Sequence, residues 1–274
     1  MKRPKRIAIA LDTISVLKKG SYTNGYGETI NLKADQSAAE KGTKLFSPEA
    51  LIKLTEGPFP EGKKYETEFQ VNGLTTLDSV RNEVKDGGKL LCLNFASAKK
   101  PGGGFLNGAV AQEESIARAS GLYPCLLEAQ AYYDINRSTK TALYTDYMIY
   151  SPGVPIFKYE EGEPMDNYIL ASVITAPAVN AGVVIGREPE NVDMIEPIME
   201  RRIDMVLAIC RSYGYETLIL GAWGCGVFRN DPVTIAGMFS EKLRGKYEGA
   251  FKKVVFSIYS RDQRYITPFK HHFG

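Results

Sequence analysis

The 274-residue sequence predicts an α/β fold in which a mixed or mostly parallel sheet lies between layers of helices. Two observations carry this. Short apolar runs of strand length alternate with helical segments through the later two-thirds of the chain. Two of those runs are each followed by a glycine-rich loop and then a helix start, where open α/β sheets bind their ligands.

In chain order, residues 5–19 carry Ile7, Ile9, Ala10, Ile14, Val16 and Leu17 at helical spacing, and Gly20 ends the helix. Residues 28–32 read as a short strand. Ser47 and Pro48 open a second helix as N-cap and first helical residue, and it ends near Gly57. Residues 65–71 alternate as a strand does. The rhythm then becomes regular: helix 76–85 broken by Gly87-Gly88, buried strand 89–95 (KLLCLNF), glycine loop, and a helix from Gln112. Strands follow at 147–150 and 169–175, with a Pro-, Gly- and acid-rich loop over 153–166 between them. A long helix covers 193–213, a strand 217–220, a second glycine loop 221–227, a helix capped by Asp231 runs to about 243, and a strand covers 253–258. No composition shift divides the chain. It reads as one domain, 1–274, with residues up to about 60 as an N-terminal helical extension.

Composition narrows the function. Hydrophobic residues make up 44% and charged residues 24%, which is enough to build a core and too apolar for disorder. The net charge is +2 and the basic residues are scattered in doublets, which argues against a duplex-binding surface. The basic start, interrupted by Asp12, Thr13 and Ser15, is a surface helix and not a leader, and no apolar run reaches a membrane span. Four cysteines without CxxC spacing fit a reduced, cytoplasmic protein. The two histidines, His271 and His272, are adjacent in what reads as a tail, so neither a metal set nor a Ser-His or Cys-His catalyst is supported.

The chemistry sits in the two loops. In Pro101–Ser115 (PGGGFLNGAVAQEES) the glycines Gly102, Gly103 and Gly104 can turn their amides toward an anion, and Gln112, Glu113 and Glu114 open the next helix. Acidic residues in a first turn also serve the helix dipole. Neighbours on a helix diverge by about 100 degrees, so the two carboxyls cannot flank one glycosidic bond symmetrically. They can hold different roles, one gripping a sugar and one moving a proton. In the second loop (GAWGCGVFRND), Gly224, Cys225, Gly226 and Val227 can wrap a diphosphate, and Phe228 can stack on a base or pack in the core. The loop has neither the GK[ST] of a Walker A motif nor GxGxxG, which disfavours a nicotinamide oxidoreductase. Cys225 has no histidine near it in sequence to activate it as a nucleophile.

The triplet Gly102–Gly104, seven residues, then Gln112-Glu113-Glu114 resembles the GGG-x(6–8)-QEE signature of poly(ADP-ribose) glycohydrolases. Gly224-Cys225-Gly226-Val227-Phe228 resembles the macrodomain phosphate loop of the bacterial-type members. The segments 6–22 and 176–180 resemble their N-terminal extension and a post-strand turn. The resemblance implies a macrodomain-like three-layer α/β/α fold with a mixed central sheet. It implies cleavage of ribose–ribose O-glycosidic bonds to release ADP-ribose, with Glu114 as the acid/base and Glu113 on the adjoining ribose. Gly102–Gly104 and Gly224–Val227 would hold the diphosphate, Phe228 would stack on adenine, and Asn94 and Gln112 would contact substrate. No metal or other cofactor is called for. The expected partners are poly(ADP-ribose) or ADP-ribosylated protein, with no membrane or primary nucleic-acid role, and the chain is expected to be a monomer. Two alternatives stay open: a mono-ADP-ribosyl hydrolase acting on protein or nucleic acid, and a non-catalytic ADP-ribose-binding module. The helix N-terminus favours a carboxylate at Glu114, whereas burial under substrate favours the acid.

Overall fold

The computed structural model describes residues 1–58, 63–84 and 89–274. The first helix, α1 (Arg3–Lys19), ends at Gly20, whose φ of 76° lets its amide turn back onto the Val16 carbonyl. The hairpin β1 (Ser21–Thr23) and β2 (Thr29–Asn31), helix α2 (Lys33–Gly42) and strand β3 (Lys44–Phe46) follow. Helix α3 (Pro48–Glu56) starts as its sequence requires, with Ser47 Oγ accepting from the Ala50 amide.

After β4 (Glu68–Asn72) and α4 (Thr76–Glu83) the chain enters β5 (Leu90–Phe95). The expected end of the α4 helix at Lys85 and its break at Gly87-Gly88 lie outside the described residues. Three helices follow, α5 (Gln112–Ala119), α6 (Leu122–Glu128) and α7 (Gln130–Ser138). The long strands β6 (Met148–Lys158) and β7 (Pro164–Ala176) form an antiparallel arm. Then come α8 (Ala181–Arg187), α9 (Ile195–Ser212), β8 (Thr217–Leu220), α10 (Pro232–Arg244), β9 (Lys253–Ser257) and α11 (Gln263–Phe273).

The seven-stranded sheet has the order β3-β6-β7-β5-β8-β9-β4. β7, β5, β8, β9 and β4 run parallel to one another, while β6 pairs antiparallel with both β3 and β7, so the sheet is mixed. Alternate residues of each central strand feed opposite cores. Leu91, Leu93, Leu218, Leu220, Val254 and Phe256 face the core built on α9 and α10. Leu90, Cys92, Ile219 and Val255 face the one built on α4 to α7. Burial on both faces explains why these strands read as continuous apolar runs.

Two expectations are corrected. Residues 153–166 belong largely to the β6–β7 arm, not to a loop. Bulges between Ser151 and Val154 and between Ile156 and Lys158 absorb the irregularities that Pro152, Gly153 and Pro155 introduce. The histidines also do not lie in a tail: they sit in α11, anchored by buried Ile266, Phe269 and Phe273.

The N-terminal segment braces the first glycine loop. From α1, Arg3 Nε donates to the Asn107 carbonyl at 3.0 Å and Arg6 Nε to that of Gly108 at 2.7 Å. Thr13 Oγ1 donates to the carbonyl of Arg118 in α5. β3 adds a strand beside β6. Among the described residues no helix is long and apolar enough to cross a membrane.

Candidate active site

The loops that leave the carboxyl ends of β7, β5, β8 and β9 enclose a cavity of about 720 Å³. Glu113, Glu114, Lys99 and Ser97 line it from the β5 side, and Gly224, Gly226, Val227 and Phe228 from the β8 side. Tyr259 and Tyr265 line it beyond β9, and Glu160 reaches it from the tip of the β6–β7 arm.

Both carboxyls are buried, Glu113 at 2% exposure and Glu114 at 9%. Main-chain amides hold each one. Glu114 Oε1 accepts from Gly104 N at 2.9 Å. Glu113 Oε2 accepts from Ser97 N at 2.7 Å and Oε1 from Asn94 Nδ2 at 3.2 Å, with the Gly102 amide also directed at the carboxyl. The remaining amide of the triplet, Gly103 N, donates to the Lys100 carbonyl. The glycine triplet, expected to hold a diphosphate, spends these amides on the protein's own groups, with Gly104 N on Glu114 and Gly103 N on the Lys100 carbonyl. Gly102 and Gly103 adopt φ of 66° and 61°, which needs glycine. A Cβ on Gly103 would stand 2.4 Å from Glu114 Oε1 and 3.1 Å from Glu113 Oε2, so the two carboxyls converge on that one point.

Burial pushes the Glu113 carboxyl up to about 8, against the opposing pull of the Ser97 amide and Asn94. The folded protein therefore keeps a proton that the unfolded chain has released between its ordinary 4.5 and about 8. The stability contributed by this proton is complete below 4.5 and is lost as pH rises through about 8. Denaturant melts across that window are expected to show a decline of at most about 1.4 kcal/mol per pH unit, and Glu113→Gln removes it. A decline unchanged in the variant would contradict a neutral Glu113.

Two further expected substrate contacts have partners within the protein. Asn94, read as a ribose contact, is fully buried, and its Nδ2 goes to Glu113 and to Thr175 Oγ1 at 3.1 Å. It positions Glu113. Gln112, read as substrate-binding, lines the cavity and also pins α5 to β5. Its Oε1 accepts from Phe95 N at 2.9 Å, and its Nε2 donates to the Leu93 carbonyl at 2.7 Å and to Thr76 Oγ1 at 3.1 Å. Gln112→Ala strands two main-chain groups and is expected to destabilise the fold by about 2–3 kcal/mol, read as a lowered denaturant midpoint with the slope unchanged.

The second loop is built the other way. Among the described residues, the amides of Gly224, Gly226, Val227 and Phe228 have no main-chain acceptor, and all four residues line the cavity. Gly224, with φ of 76°, is packed so closely that a Cβ would meet Asn230 Nδ2 at 2.5 Å and Ala178 Cβ at 2.6 Å. Asn230 fixes the loop by donating to the carbonyls of Val179 and Gly224. Cys225 points inward: its amide donates to the Ala222 carbonyl, and burial pushes its thiol up to about 12. That suits neither substrate contact by its side chain nor nucleophilic attack. The Phe228 ring, expected on adenine, lies 6.0 Å from that of Tyr144, a cavity residue the motif reading missed. Among the described residues no group of three or more His, Cys, Asp or Glu side chains is arranged to hold a metal ion.

Residues 10–159 match the family model of the microbial-type PARG catalytic domain. The fold superposes on poly(ADP-ribose) glycohydrolase from Thermomonospora curvata with a TM-score of 0.95 at 37% identity, covering 99% of this chain and 100% of that one. The same enzyme bound to the inhibitor ADP-HPD gives 0.92 at 37% identity with equal coverage. The enzyme from Deinococcus radiodurans in complex with ADP-ribose gives 0.83 at 41% identity, over 86% of this chain and 96% of that one. No curated protein matches the chain. With sequence and backbone agreeing over nearly the full length of both enzymes, the chain belongs to the microbial-type poly(ADP-ribose) glycohydrolase family.

Proposed function

We propose that this protein hydrolyses the ribose–ribose glycosidic bonds of poly(ADP-ribose) and releases ADP-ribose, with Glu114 as acid and then base. The observation that carries this reading is the Glu114 carboxyl, buried at the wall of a cavity of about 720 Å³ and aimed by the Gly104 amide. The free amides of Gly224, Gly226, Val227 and Phe228 supply the complementary half, donors for a diphosphate that cost no reorganisation.

In the first step Glu114 gives its proton to the leaving oxygen as the bond from that oxygen to the anomeric carbon breaks, and positive charge develops on the sugar. In the second step the carboxylate takes a proton from water while the water oxygen bonds to the anomeric carbon, which restores the acid. Glu113, neutral at pH 7, can hold a ribose hydroxyl without adding a negative charge beside Glu114. Four buried free thiols fit a reducing compartment, and we place the enzyme in the cytoplasm.

The test offers the purified protein poly(ADP-ribose) and, separately, a mono-ADP-ribosylated protein, and follows free ADP-ribose by chromatography. Release from the polymer alone is the expected result. Release only from the modified protein would move the assignment to a mono-ADP-ribosyl hydrolase, and binding of ADP-ribose without release from either would leave a reader module.

A further inference from the structure

Among the described residues only Tyr144 and Arg229, apart from glycines, hold a left-handed backbone, with φ of 59° and 60°. For a bulky side chain this is strained, and such strain persists only where the surroundings over-determine it. Both residues flank the same ring. Arg229 follows Phe228 in the chain, and the Tyr144 ring lies 6.0 Å from the Phe228 ring at an interplanar angle of 41°.

Buried groups clamp the Tyr144 backbone from both sides. Arg202 is fully buried and donates to the Leu143 carbonyl at 2.8 Å and, through Nε, to Asp146 Oδ1 at 2.8 Å. Asn136, also fully buried, accepts from the Thr145 amide at 2.9 Å. These contacts fix residues 143, 145 and 146 and so hold the left-handed backbone of Tyr144 between them.

The clamp presents the ring to the cavity at a definite end. Lys99 Nζ stands 5.9 Å from the Tyr144 ring centroid, and Lys99 lies two residues past Ser97, whose amide holds Glu113. Tyr144 enters β6, on the opposite side of β5 from β9, where Tyr259 and Tyr265 line the cavity. The two rings, the ammonium and both carboxyls thus line one cavity. Sugar C–H faces can rest on the rings while an attached phosphate meets Lys99 and the free amides that lead into Phe228.

We infer that Tyr144 is a specificity-determining residue that, with Phe228, walls the reacting sugar, so that the cleft selects a diphosphate carrying a second ribose over a nucleoside diphosphate alone. This rests on the ADP-ribose reading above.

The experiment measures calorimetric Kd for ADP-ribose and for ADP, with kcat/KM on poly(ADP-ribose), in wild type, Tyr144→Phe, Tyr144→Ala and Tyr144→Gly. Tyr144→Ala is expected to weaken ADP-ribose binding about tenfold while leaving ADP within about twofold, and Tyr144→Phe to stay near wild type in both. Relief of the backbone strain should leave Tyr144→Gly melting no lower than Tyr144→Ala although its activity is equally reduced. Equal losses for ADP and ADP-ribose, no loss for either, or a lower melting temperature for the glycine variant would overturn the inference. Wild type that neither binds ADP-ribose nor turns over polymer would instead overturn the functional reading itself.

Discussion

Glu114→Gln is expected to lower ADP-ribose release by roughly three orders of magnitude while leaving ADP-ribose affinity within a few-fold of wild type. The asymmetry follows from the contacts. A glutamine carbonyl can still accept from Gly104 N, which Glu114 Oε1 does at 2.9 Å, and the side chain is nearly isosteric, so the loop keeps its shape. The variant loses the ability to give and take a proton. Rates from chromatography and affinities from calorimetry separate the two effects. If affinity collapses together with rate, the residue is a structural support of the loop, and the acid/base role is wrong.

Gly103→Ala is expected to be nearly as damaging to rate, by about a hundredfold or more, although residue 103 carries no chemistry of its own. The added Cβ would lie 2.4 Å from Glu114 Oε1 at a backbone with φ of 61°, so the carboxyls, the loop or both must shift. A displacement of about 1 Å at a reacting group costs on the order of a hundredfold in rate. The backbone strain adds about 1 kcal/mol of destabilisation, read in a thermal melt. Gly186→Ala is the control, since its Cβ would meet nothing within 4 Å. A Gly103→Ala enzyme with wild-type kcat would show that the two carboxyls do not need this packing.

Much of the architecture is legible in the sequence because the central strands are buried on both faces and the helix starts carry side-chain caps. Residues 217–220 read as a strand and are one, and Ser47 and Asp231 cap α3 and α10 as their chemistry requires. The β6–β7 arm escaped because its prolines and glycines are the residues that mark loops, and only the bulged pairing with a neighbouring strand makes them tolerable there. Helix α2 escaped for lack of an apolar stripe, since its buried residues are Gln36 and Ala39. Helix α11 does carry a signal in Ile266, Phe269 and Phe273, at spacings of three and four, but Pro268 and the histidines mask it.

The candidate site divides in the same way. The glycine triplet, the QEE run and the second loop are visible as motifs. Which loop spends its amides on the protein and which keeps them free is a tertiary fact, decided by where Gly104 N and Ser97 N find acceptors. Tyr144 gives no sequence signal, because its left-handed backbone is imposed by tertiary contacts, from Arg202 in α9 and from Asn136 in the preceding helix.

The most direct test of the central claim is release of free ADP-ribose from purified poly(ADP-ribose) in the presence of EDTA, with wild type and Glu114→Gln side by side at equal concentration and matched saturation. The account predicts steady release by wild type and near-background release by a variant that still binds ADP-ribose. Equal release by both proteins would contradict it, because the bond would then be broken without the carboxyl that the glycine loop is built to hold.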